Sequence, residues 1–516
     1  MKLLYDMIAL YISRARNVAA VYDLYWERFA LRTDNPVCAA LERRGEYVGC
    51  LWGDKGGGGM IWSEKGENVY SQITPKIRAL EEQWEKKNYI DPGLYRKYNV
   101  RRGLRDENGQ GVLTGLTRVG EIQSYSVDQN GKLLPEDGVL YYRGIDCREL
   151  VRGSEGRRLA FEESAYLLLF GELPTEVQLR DFCVQLATYR TLPSNFLRDV
   201  ILKAPPQDLM NTMQRAVLTL FCYDDQPNDI SLGNVLRQSL QMVAIMPLLA
   251  IYAYQAYRFN KGEGLFIHEP RPELSTAENF LRMLRQDGRY TDLEARVLDV
   301  ALVLHADNGG GNNSTFTNHV VTSSGTDTYS AIAASMAALK GPRHGGANSK
   351  VMEMMADIKS HVRNWNDDGE LENYLERILN GEVFDGRGLL YGLGHAVYTR
   401  SDPRCEVFRD YVKTLSTEKE RGEELDLYER VERLGKGLLS VRRGKDAIST
   451  NIDFYSGFVF EMLGLPKELY TPLFAVARIS GWSAHRMEEL SGGGKLIRPR
   501  YECVEEHRAY TPAAER

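Results

Sequence analysis

Closely spaced cysteines are missing from this chain. The seven present, Cys38, Cys50, Cys147, Cys183, Cys222, Cys405 and Cys503, lie far apart and form no C-x-x-C pair. That excludes a thiolate metal cluster and a disulfide framework, and leaves the expectation of free thiols in a reducing compartment with no metal bound. A basic excess is also missing. The formal net charge is -6 and the 65 Lys and Arg residues are dispersed, which sets nucleic acid aside as a partner. Apolar runs such as Met242–Tyr252 fall short of the roughly 18 to 20 residues that a bilayer span needs, so no membrane role is expected. The opening MKLLYDMIALYISRAR carries Asp6 in its apolar part and no small-residue cleavage site, unlike a secretion signal, and a cytoplasmic location is expected. No glycine cluster ends as a phosphate loop does. Gly309–Gly311 lacks a following Gly-Lys-Ser/Thr, and Gly492-Gly493-Gly494-Lys495 lacks the spacing, so both read as turns.

Strand signals are scarce, and helical spacing prevails. The one hairpin signal is Asn130-Gly131, with a stretch ending at Leu140-Tyr141-Tyr142 on its far side. Phe161–Phe170 is a run of helix formers closed by Gly171 and Pro174, and Val351, Met354, Met355, Ile358 and Val362 recur at threes and fours like one buried helical stripe. Ala331–Leu339 is a small-residue helix, and the charged Glu418–Arg433 reads as a solvated helix face. At 516 residues and 43% hydrophobic, the chain has material for a large core and two or three domains. The fold class expected is mainly α with a minor β-hairpin.

Two histidines in glycine-punctuated turns and one aspartate carry the chemistry: His344 in GPRHGG, His395 in GLGH and Asp453 in NIDFYSG. Two imidazoles and a carboxylate can deprotonate carbon beside one carbonyl while hydrogen-bonding the oxygens of two. His344 falls between a helix ending near Lys340 and one beginning near Ala347, where the positive helix terminus disfavours protonation and leaves a neutral N–H donor. Lone histidines usually pack or sit on the surface, so His268, His305, His319, His361, His485 and His507 receive no catalytic role.

GPRHGG, GLGH, Ser401-Asp402-Pro403-Arg404, NIDFYSG, Phe474-Ala475-Val476-Ala477-Arg478 and Ile497-Arg498-Pro499-Arg500 occur in one order. In that order, the chain from about Gly115 to Arg500 resembles the citrate synthase family. The resemblance implies a two-domain helical fold with a large domain and a smaller mobile one. The small domain is placed at 346–464 and the large one at 67–345 with 465–516. It implies condensation of acetyl-CoA with oxaloacetate and hydrolysis of citryl-CoA, by a homodimer with shared active sites and no permanently bound cofactor. By the same resemblance, Asp453 is the base, His344 stabilises the enol of acetyl-CoA, and His395 polarises the oxaloacetate carbonyl. Arg404, Arg478 and Arg498 hold carboxylates, the last from the neighbouring subunit. Arg343 and Arg400 are candidates for the phosphates of coenzyme A, although a family arginine expected before Arg400 is Thr399 here.

One departure stands out. Where the family has Ala-Asp-His or Ser-Asp-His, this chain reads Ala306-Asp307-Asn308, and the missing histidine donates to oxaloacetate. An uncharged, shorter amide in its place costs about 1 to 3 kcal/mol, or roughly ten- to a hundredfold, which implies a weakened enzyme. Two alternatives follow: a 2-methylcitrate synthase using propionyl-CoA, or a dicarboxylate- or CoA-binding paralogue that does not catalyse.

The first 66 residues differ from the rest, and Gly56–Gly59 splits them. They read as a helical N-terminal extension with a flexible linker. Lys55-Gly56-Gly57 also matches AAA-GGA-GGN, a bacterial ribosome-binding sequence, and Met60 follows closely. The expectation is that residues 1–59 are upstream sequence read in frame. The protein purified from its own host should then have an intact mass beginning at Met60, and a mass that includes residues 1–59 rules this out.

Overall fold

The computed structural model describes residues 71–105, 111–129, 133–203, 206–394, 397–444 and 447–515. His395, the hairpin turn at Asn130-Gly131 and the segment before Met60 lie outside the described residues. The chain divides into a unit of residues 1–102 and one of residues 103–516. In the first, α1 (Pro75–Lys87) follows Thr74, whose hydroxyl accepts from the Ile77 N–H at 3.3 Å, and ends on Lys86 and Lys87. Both ends suit the helix dipole. Then α2 (Pro92–Lys97) is capped by Asp91.

The second unit opens with β1 (Gly120–Val127) and β2 (Leu133–Tyr142), antiparallel from Gly120↔Tyr142 to Val127↔Leu133, with a register shift between Gln123 and Tyr125. The expected hairpin is present, and a third strand adds to it. Arg143 and Gly144, both at positive φ, turn the chain so that β3 (Ile145–Asp146) pairs back on Tyr141 and Tyr142. The helices follow as α3 (Cys147–Gly153), α4 (Ala160–Phe170), α5 (Glu176–Tyr189), α6 (Leu209–Leu220), α7 (Leu232–Asn260), α8 (Thr276–Leu284), α9 (Asp292–His305) and α10 (Asn313–Thr322). After them come α11 (Thr328–Leu339), α12 (Ala347–His361), α13 (Asp368–Leu379), α14 (Pro403–Glu418), α15 (Gly422–Arg443), α16 (Asp453–Met462) and α17 (Tyr470–Ser491).

Local sequence sets many of these ends. α4 stops at Gly171, at φ 87, where a left-handed residue closes the last turn. Capping boxes of Thr175 with Gln178, Ser275 with Glu278 and Thr291 with Glu294 start α5, α8 and α9. The core is centred on α7, buried without a break from Met242 to Ala253, and on α17, against which α7 packs. By length and composition α7 is long and apolar enough to cross a membrane, yet 78% of its most apolar window is buried inside the protein. The stripe Val351, Met354, Met355, Ile358 on α12 and the following Val362 is buried as expected, as is most of the small-residue helix α11.

The segment Glu418–Arg433 departs from its reading as one solvated face. Glu420 at φ 54 breaks it between α14 and α15, and Glu432 is buried. Glu432 accepts from Thr450 (2.5 Å), Lys436 (2.7 Å), Tyr455 (2.6 Å) and Arg409 (2.6 Å), which ties α14, α15 and α16 together. Burial alone would raise its pKa, but the Lys436, Thr450 and Tyr455 hydrogen bonds win and hold it at about 2. A carboxylate depressed in this way stabilises the fold above its unfolded pKa, and that contribution fades as pH falls towards the folded value. Glu432→Gln should therefore lose on the order of 3 kcal/mol at pH 7, with the gap to the native protein closing below about pH 4. Equal denaturation midpoints at pH 7 would refute it.

Candidate active site

Asp453 is the first residue of α16, and its position is set by a neighbouring helix. Asp402 caps α14 by accepting from the Arg404 N–H at 3.1 Å, and it accepts from the Ile452 N–H at 3.2 Å. The same carboxylate holds Arg404 in a two-pronged pair at 3.0 and 2.8 Å, and both side chains are buried. The Arg404 guanidinium also lies over the Tyr398 ring at 5.5 Å. Against burial, Asp402 keeps the Arg404 pKa above its ordinary value. Asp453 itself is half-buried as a residue, and burial around its carboxyl pushes the pKa up to about 6, with Arg404 pulling the other way. It is a carboxylate made more basic by its surroundings, next to a locked cation.

A second buried arginine faces the same region from α17. Arg478 Nε donates to the His305 carbonyl at 2.8 Å, and its guanidinium lies 4.7 Å from the Phe474 ring centre. Its Nη1 and Nη2 are buried with no hydrogen-bond partner among the described residues. Burial lowers its pKa to about 10, so it stays charged at neutral pH. The four N–H bonds on these two nitrogens suit an anion, because charge-assisted hydrogen bonds are strong and unpaired buried donors are costly.

Two neutral imidazoles complete this side. His305 packs edge-on to Phe474 at 4.9 Å, and its Nδ1 lies 2.7 Å from the Ala301 carbonyl. A carbonyl only accepts, so Nδ1 carries the proton and Nε2 is bare. Burial lowers the His305 pKa to about 3. His344 sits in the turn after α11, where a Cβ on Gly345 would meet the Leu339 carbonyl at 2.4 Å; only glycine lets the turn close. Burial, then the Arg478 charge, lowers the His344 pKa to about 4, which favours the neutral form expected from the sequence, through these causes rather than the helix terminus. Its Nε2 lies 3.1 Å from Ser314 Oγ, which accepts from Trp482 Nε1 at 3.2 Å and donates to Asn312 Oδ1 at 2.9 Å. With the Ser314 hydroxyl donating to Asn312 Oδ1, Nε2 carries the His344 proton and donates to Ser314 Oγ; turning the hydroxyl towards Nε2 would move the His344 proton to Nδ1.

Asn308 lies in the loop between α9 and α10. Asp307 Oδ2 accepts from the Gly309 N–H at 2.9 Å, bending the chain around Asn308, whose Oδ1 is buried with no partner among the described residues. Beside Asp453, a small cavity of about 10 Å³ is lined by Ala301, Leu302, His305, Leu473, Phe474 and Ala477, among others. It has room for about one water molecule.

Of the residues singled out in the sequence, Asp453, Arg404, Arg478 and His344 thus act on one another electrostatically or share a ring contact, with Asn308 in the adjoining loop. Arg343, Arg400 and Arg498 are exposed, the last just after Ile497, whose N–H donates to Ser323 at 3.1 Å. His305 was passed over in the sequence and belongs to the site. Its signal was its place three residues before Asn308 in the same motif. Ser314 and Trp482, which meet across 168 residues, had none.

Residues 110–500 match the family model described as "Citrate synthase, C-terminal domain". The chain is 35% identical over 365 residues to the citrate synthase of Deinococcus radiodurans, covering 70% of this chain and 89% of that protein. It is 32% identical over 428 residues to 2-methylcitrate synthase 1 of Corynebacterium glutamicum, covering 81% and 98%. Among solved structures, citrate synthase from Pyrobaculum aerophilum is similar with a TM-score of 0.64 at 30% identity, covering 80% of this chain and 95% of that one. The ternary complex of carboxymethyl coenzyme A and oxaloacetate with citrate synthase from Thermoplasma acidophilum matches with a TM-score of 0.64 at 27% identity, covering 81% and 99%.

Proposed function

Because this chain belongs to the citrate synthase family, we propose that it condenses acetyl-CoA with oxaloacetate and hydrolyses the citryl-CoA formed to citrate and CoA. The observation that carries this reading is the pairing of a buried, half-used cation at Arg478 with a carboxylate of raised pKa at Asp453. Arg478 and Arg404 take the carboxylates of oxaloacetate, and Asn308 contributes its amide. Asp453 removes a proton from the acetyl methyl group while the neutral ring of His344 donates its N–H to the thioester oxygen. Without that donor, a base of pKa about 6 has too little driving force to take a proton from carbon. The new carbanion equivalent adds to the ketone carbon of oxaloacetate, whose oxygen is protonated, the role assigned to His395. Water then cleaves the thioester, releasing CoA as the thiol.

Exposed Arg343 and Arg400 suit contacts with coenzyme A phosphates, and exposed Arg498 suits a homodimer in which it reaches the other copy's site. Closure of 346–464 over 67–345 and 465–516 excludes water before condensation. The cytoplasm is the proposed location. The likeness to proteins named citrate synthase, one of them solved with carboxymethyl coenzyme A and oxaloacetate, supports acetyl-CoA over propionyl-CoA as the acyl donor.

Purified protein should release free CoA thiol from acetyl-CoA only when oxaloacetate is present, faster than from propionyl-CoA. A folded protein that releases none would favour the non-catalytic paralogue. Since a protonated Asp453 cannot act as a base, kcat/KM should fall up to about tenfold per pH unit below about pH 6. Asn308→His should improve oxaloacetate affinity or rate roughly ten- to a hundredfold, and an unchanged value shows that the amide already does the work.

A further inference from the structure

Along α17, Arg478, Gly481 and His485 fall at i, i+3 and i+7 and so share one helix face. That face lies against the loop carrying Asn308. A Cβ on Gly481 would meet the Ala306 carbonyl at 2.5 Å and Asp307 Oδ1 at 2.8 Å, so the helix and loop touch through backbone. About one helical turn further along, His485 Nε2 stands 3.2 Å from Asp307 Oδ1, and both side chains are fully buried. The approach lacks hydrogen-bond alignment, and neither ring nitrogen of His485 has another hydrogen-bond partner among the described residues. From the other side, Gly120 of β1 leaves the space for Asp307 Oδ2, since a Cβ there would lie 2.1 Å from it. That oxygen holds the Gly309 N–H.

We infer that His485 is a positioning residue for the dicarboxylate substrate: its ring, buried against Asp307, fixes the bend that aims Asn308 towards the anion held by Arg478. The geometry assigns one helix face two tasks, binding at one end and bracing the binding loop at the other. Tyr142 holds the backbone of Asp307, its hydroxyl donating to the Asp307 carbonyl at 3.2 Å and accepting from the Asp307 N–H at 3.3 Å. The His485 ring is left to fix the Asp307 side chain, with Glu488 Oε2 reaching His485 Nδ1 only at 4.0 Å. His319 is taken by Glu489 at 2.8 Å, Glu488 Oε1 accepts from the Arg118 N–H at 2.7 Å, and the Arg143 guanidinium donates to the Leu168 carbonyl. Burial works against ionisation of Asp307, and His485 is the largest influence holding its pKa below the ordinary value.

This inference rests on the proposed reaction. His485→Gln should raise the KM for oxaloacetate about tenfold, leaving the KM for acetyl-CoA and kcat within about twofold. Asp307→Asn, which keeps an acceptor for Gly309, should do the same, and the double variant should be no worse than either single one. Additive effects, an unchanged oxaloacetate KM, or equal changes in both KM values overturn the assignment. If His485→Gln does not fold, Asp307→Asn alone decides it by the same split in KM. A native protein without condensation activity sinks the proposed reaction instead, and calorimetric binding of oxaloacetate to native and variant proteins then reads the pair directly.

Discussion

The buried pair of Asp402 and Arg404 is the interaction on which the rest of the site depends. Asp402 satisfies three things at once: the first turn of α14, the N–H of Ile452 immediately before Asp453, and the Arg404 guanidinium. Removing either partner would strand the other charge in the interior, at a cost of about 3 to 5 kcal/mol. The pair therefore acts as a register pin, holding two helix starts at one fixed separation. Asp453 inherits its environment from that pin, because Arg404 is the strongest influence opposing the burial that raises its pKa.

Around this pin the site separates charged from neutral groups by depth. The arginines remain cations at neutral pH, even where burial lowers the pKa of Arg478 to about 10. The imidazoles of His305 and His344, desolvated and next to those cations, cannot add a second positive charge and so stay neutral. An anion entering beside Arg478 thus meets fixed positive charge and imidazoles that are already neutral. No side chain must first lose or gain a proton to receive it.

Much of this was legible in the sequence where the signal is local. Gly171 ends α4, the threes and fours of α12 mark its buried face, and the motif order names Asp453, His344, Arg404 and Arg478. The third strand was missed because its turn is Arg143-Gly144, in which the arginine itself adopts the left-handed conformation. Glu432 was misread because its partners Arg409, Thr450 and Tyr455 lie on other elements, and charge spacing along one helix cannot report them. His305, Ser314 and His485 belong to the same class. Each acts through contacts made only once distant segments are packed, and isolated histidines and serines look alike before that.

The two glycines that clasp Asp307 give the loop an uneven evolvability. Position 308 is half-buried and its buried amide oxygen has no partner among the described residues, so a change of side chain there breaks no hydrogen bond of that atom. At 120 and 481 even a single methyl group would collide with Asp307 or the Ala306 carbonyl. Directed diversification around Asp307 therefore has one position that accepts a side chain, 308, and two glycines on the packed strand and helix that refuse any.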